Sequence, residues 1–111
     1  MDIILVSIKK LLGIDTTYTH FDDDIVMNIN SALMNLLQFG IGPESGFQII
    51  TGTETWSSLL DSRTDLNAIK MYVYYQTRLG FDPPSSSFVL EAMERRVEEL
   101  VWRIQLQGEQ V

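Results

Sequence analysis

The residues best suited to chemistry stand close together: Tyr18, His20, Asp22, Asp23 and Asp24. A histidine beside carboxylates is the material of a general acid–base pair or a divalent-cation site. The same aspartates, however, fall where a helix begins, and there acidic side chains cap free N–H groups and complement the helix dipole. Asp22 reads as the cap, with Phe21 and Val26 forming the hydrophobic staple across it. Capping accounts for all three aspartates without an ion, so no metal and no cofactor is expected. A second candidate, Gly40-Ile41-Gly42, has the start of a phosphate-binding glycine loop. Such a loop follows a strand and opens a helix, whereas here a helix precedes and Pro43 follows. Gly40 therefore reads as a helix stop. With one histidine and no cysteine, the chain carries no recognisable nucleophile or metal-ligand spacing, and no enzymatic activity or catalytic residue is expected.

The 111 residues are 45% hydrophobic and 21% charged, which suits one domain over residues 1–111 with a modest core. The first twelve residues lack the order of a secretory signal and read as a first helix. No apolar run has the length of a membrane span. The net charge of −7 argues against a nucleic-acid-binding face, which needs clustered Lys and Arg.

Apolar spacing then lays out the elements. Ile4, Ile8, Leu11 and Leu12 share a face, and Gly13 closes that helix. A second helix runs to about Phe39, with Ile25, Ile29, Ala32, Leu33, Leu36 and Leu37 toward the core. Residues 47–50 and 53–55 read as short strands turning at Thr51-Gly52, a pair needing support from a neighbour. Thr55 caps a short helix from Trp56 to Leu60, and residues 61–64 form a polar connection. A further helix starting near Asp65 uses Leu66, Ile69, Tyr72, Val73 and Leu79 for the core and stops at Gly80. Pro83-Pro84 keeps it from running into the last helix, which begins at Pro83 or at Ser87 and extends to about Gln107. Val89, Met93, Val97, Leu100 and Ile104 form its core stripe, and Glu91 with Arg95 and Glu99 with Arg103 support it at four-residue spacing. The expected fold is mainly α: a small bundle of about four to five helices with a short hairpin or extended loop near residues 46–55.

More apolar perimeter is present than one small subunit can hide. Trp102 lies nearly opposite the core stripe, with Phe88 and Leu106 close to the same meridian. Met27 and Met34 stand on the polar side of the second helix, and Met71 and Tyr74 off the core side of the fourth. These seven residues are the interface candidates.

The chain resembles the head–tail connector proteins of tailed bacteriophages. The resemblance rests on Leu12-Gly13-Ile14-Asp15, Phe21-Asp22-Asp23-Asp24, Ile29-Asn30-Ser31, Gly42-Pro43 with Gly46-Phe47, Phe81-Asp82-Pro83-Pro84, and the run from Ser87 to Arg95, taken in order. It implies a virion structural protein, made in the bacterial host cytoplasm and placed at the head–tail junction. It implies a ring oligomer, a dodecamer matched to the portal protein, that extends the DNA channel and carries a stopper or tail-completion protein. DNA would pass without specific binding, and no membrane would be involved. The alternative is a small helical dimeric regulator or adaptor unrelated to a virion; size in solution separates the two.

Overall fold

Local signals place most helix ends in the computed structural model, which describes residues 3–43, 45–60 and 66–109. Five helices follow in order: α1 (Ile4–Leu12), α2 (Asp22–Gln38), α3 (Trp56–Leu60), α4 (Leu66–Phe81) and α5 (Ser87–Glu109). The mainly α expectation holds. Gly13 takes the left-handed conformation that ends α1 (φ 79°), and the Ile14 amide reaches back to the Lys9 carbonyl at 2.9 Å. Gly40 (φ 85°) plays the same part after α2, with the Ile41 amide bonded to the Leu36 carbonyl at 3.0 Å. Thr55 caps α3 by accepting the Ser58 amide at 3.3 Å. The expected connection at residues 61–64 and the helix start at Asp65 lie outside the described residues.

Two boundaries differ from the sequence expectation, and a third is settled between its two alternatives. Asp22 is the first residue of α2 instead of its cap; the preceding Phe21 supplies no side-chain bond. The Asp22 carboxylate instead meets the Lys9 ammonium at 2.8 Å, an ion pair outside good hydrogen-bond alignment. Gly80 does not stop α4, which continues through it to Phe81. A Cβ at Gly80 would run into the Asn28 carboxamide of α2, so this glycine permits close approach of two helices. Of the two starts open for α5, the helix takes Ser87, and the Ser86 hydroxyl accepts the Val89 amide at 3.4 Å.

Helix α4 is the centre of the packing, touching α1, α2 and α5. Ile69, Tyr72 and Val73 enter one core with Ile4 and Ile8 of α1, Ile25, Ile29, Leu33 and Leu36 of α2, Trp56 of α3, and Leu100 and Ile104 of α5. Trp56 is fully enclosed, and its indole N–H donates to the Ser7 hydroxyl at 2.8 Å. Two expected core residues are exposed. Leu11 stands in the last turn of α1, where a groove opens toward α4. Val89 lies in the first turn of α5, ahead of Met93, the first buried residue of that helix. Leu37, Leu66 and Leu79 are half-buried.

The hairpin alternative fails: among the described residues there is no strand, only an isolated antiparallel bridge between Ile3 and Thr55. Residues 46–55 form an extended loop supported from within the chain. The Asn30 side chain on α2 pairs with Ile49 as a strand would, its carbonyl accepting the Ile49 amide at 2.6 Å and its amide donating to the Ile49 carbonyl at 3.2 Å. Glu54 gathers the tip by accepting the amides of Ile50, Thr51 and Gly52 at 2.8, 3.0 and 3.0 Å.

Candidate assembly surface

The polar cluster at residues 18–24 builds no acid–base relay. Asp22 is committed to Lys9, which is buried and also donates to the carbonyls of Tyr18 at 2.7 Å and Thr16 at 3.2 Å. Lys9 thereby fastens the connection between α1 and α2 to the core. His20 joins a row of rings, 6.1 Å from Tyr18 and 4.8 Å from Phe21, with Phe21 in turn 5.5 Å from Phe81. Among the described residues no group of three or more His, Asp or Glu side chains is disposed to hold a metal.

Exposed apolar side chains are the distinctive surface feature. On α5 the charges follow the expected pairing, Glu99 with Arg103 at 2.9 Å and Glu91 with Arg95 at 4.0 Å. The buried residues Met93, Leu100 and Ile104 turn toward the body. Phe88 and Trp102 therefore face solvent, 78% and 62% exposed, with Leu106 beside them on the same meridian. On α2, Met27 and Met34 lie one heptad apart and are both exposed. Met71 and Tyr74 differ from these five. Both are half-buried and pack on the core, and the Tyr74 hydroxyl accepts a hydrogen bond from Arg78 at 3.2 Å. That bond, first among several effects, raises the Arg78 pKa.

Two grooves accompany the protruding residues. One, about 480 Å³, lies between α1 and α4 and is lined by Leu11, Met71, Lys10 and Lys70 among others. The other, about 640 Å³, lies between the start of α2 and the end of α4, with Met27, Phe21 and Phe81 in its wall and Asp24 and Asp82 beside them.

Ile50, 80% exposed at the tip of the 46–55 loop, went unrecognised in the sequence. Its signal was present in Glu54, whose role needs the folded loop to be seen. Partial burial pushes the Glu54 carboxyl up, but the amides of Thr51, Ile50, Glu54 and Gly52 outweigh it and hold the pKa at about 2. The tip is thus tied by a charge at neutral pH, and an apolar side chain is presented on a defined backbone. Asp15 makes a smaller arrangement of the same kind, its pKa lowered first by the Thr17 amide at 2.9 Å.

The surface of this helical body thus carries exposed apolar side chains and two grooves. The chain matches the family described as phage connector protein over residues 4–111, and it belongs to that family. The resemblance drawn from its motifs is therefore borne out, and the family is structural, not catalytic. No curated protein and no solved structure matches the chain. No helix among the described residues is long and apolar enough to cross a membrane.

Proposed function

We propose that copies of this chain form a closed ring between the portal and the stopper or tail, extending the DNA channel at the head–tail junction. The carrying observation is the apolar stripe of Phe88, Trp102 and Leu106 on the side of α5 turned away from its own core. Burial of apolar area contributes roughly 25 cal/mol per Å², so association of such surfaces is favourable. A cyclic ring needs two different faces on each subunit, and the α5 stripe and the α1–α4 groove are different faces. Met27, Met34, Met71 and Tyr74 are further interface positions, and Ile50 joins them on the strength of its exposure. The net charge of −7, repeated around a channel, repels the DNA phosphates and lets the duplex pass without adhering.

The test is the mass and shape of the assembled species. Purified protein, alone and with a portal ring from the same particle, is expected to give a closed ring by sedimentation and electron microscopy. A discrete dimer under both conditions overturns the reading and favours a helical regulator. A monomer that stays monomeric with the portal overturns it as well.

A further inference from the structure

The α1–α4 groove is lined by the apolar Ile3, Val6, Leu11 and Met71 and by two lysines, Lys10 and Lys70. These are two of only eight basic residues in a strongly acidic chain. The groove's serine is already engaged: Ser7 donates to the Ile4 carbonyl at 3.0 Å and accepts from Trp56. Lys70 is engaged as well, its ammonium 5.9 Å from the centre of the Trp56 ring, so recognition there falls to the apolar wall and Lys10. Lys10 is exposed and has no ion pair among the described residues.

The outer side of α5 has the opposite character. Helical spacing puts Glu91, Arg95 and Glu98 beside Trp102, within about 40° of its meridian at roughly 100° per residue, so two carboxylates face one guanidinium and the balance is negative. Glu91 is only loosely held by Arg95, at 4.0 Å, and Glu98 has no ion pair among the described residues. From Phe88 to Leu106 this stripe is about 27 Å long at 1.5 Å per residue. It cannot enter its own groove, because α5 packs on α4 through Met93, Leu100 and Ile104 and turns Trp102 outward.

The geometry points to the α1–α4 groove as the receptor for the α5 stripe of a second copy, with Trp102 and Leu106 against Leu11 and Met71, and Glu98 beside Lys10. The inference rests on the ring reading above and deepens it by naming the faces that meet. The contact is heterologous: each copy gives its stripe to one neighbour and its groove to the other, which produces a ring when the rotation closes. The apolar contact supplies attraction, and the charges set register and exclude the like-charged α5–α5 arrangement.

The cysteine-free background makes the test direct. Asn67→Cys in the groove and Gln105→Cys beside the stripe, prepared as separate full-length variants, are mixed and mildly oxidised under conditions where wild-type protein associates by sedimentation. A mixed disulfide at least about tenfold more abundant than either like pair is expected. In parallel, Lys10→Glu is expected to weaken association about tenfold, and Glu98→Lys in the same chain to restore it to within about threefold of wild type. Association without the mixed disulfide overturns this pairing and leaves the ring standing. Predominance of a like pair overturns the α5 stripe as the groove's occupant. Failure to associate alone or with the portal overturns pairing and ring together.

Discussion

Helices α4 and α5 are consecutive, pack on each other, and are both apolar around much of their circumference, yet they serve different ends. Three helices surround α4, so Ile69, Tyr72, Val73 and Thr77 all disappear into the interior. α5 has α4 as its main helical neighbour; it buries one side through Met93, Leu100 and Ile104 and leaves Phe88 and Trp102 in solvent. Hydrophobic content is thus a poor guide to what a residue stabilises. The same kind of side chain holds the monomer together on α4 and, by our reading, holds copies together on the far side of α5.

Truncations grade this contrast. Tyr72→Ala should have the largest effect, a loss of about 3–5 kcal/mol in chemical denaturation, because a fully enclosed ring stacked edge-on with Phe39 leaves a cavity. A loss below about 1 kcal/mol would erase the distinction between the two helices. Ile104→Ala on the inner side of α5 should cost about 2–4 kcal/mol by the same measurement. If it behaved like a surface change, α5 would not be fastened to the body as described.

Gly80→Ala should cost about 1–3 kcal/mol, since the new methyl meets the Asn28 carboxamide where α4 and α2 approach. Pairing it with Asn28→Ala should recover part of that loss, and purely additive losses would show that the two sites are not in contact. Glu54→Gln should cost about 1 kcal/mol and remove a pH dependence. The folded pKa of about 2 lies below the ordinary 4.5, so the Glu54 contribution is complete above pH 4.5 and fades as pH falls toward 2. Wild type and Glu54→Gln should therefore converge in stability over that interval, and a constant gap would contradict it. Trp102→Ala should have the smallest effect on the isolated subunit, within about 0.5 kcal/mol, while abolishing assembly. A large drop in thermal stability with assembly intact would reverse the roles given to the two sides of α5.

Features carried by neighbours along the chain were legible without coordinates. Gly13, Gly40 and Thr55 end or begin helices through backbone conformation or a bond three residues away, and the Glu–Arg pairs of α5 act within one turn. What escaped depends on contacts between distant segments. Asn30 meets Ile49 across nineteen positions of sequence, Lys9 takes Asp22 away from capping, and Gly80 is selected by a helix that begins fifty-eight residues earlier. Exposure shows the same limit. Trp102 was recognisable because it stands opposite a long stripe, but Leu11 and Val89 sit on buried meridians at helix ends where the cover from neighbours is incomplete. Five of the seven candidate surface residues are exposed, and Met71 and Tyr74 are half-covered because α4 is enclosed on several sides.

The bond pair between Asn30 and Ile49 has a mechanical side. A flexible tip would absorb a push on Ile50 by bending, whereas this tip is stiffened by the Glu54 carboxylate and bolted to the middle of a seventeen-residue rod. A load on Ile50 would therefore bear on α2 through Asn30, and α2 in turn packs on α4.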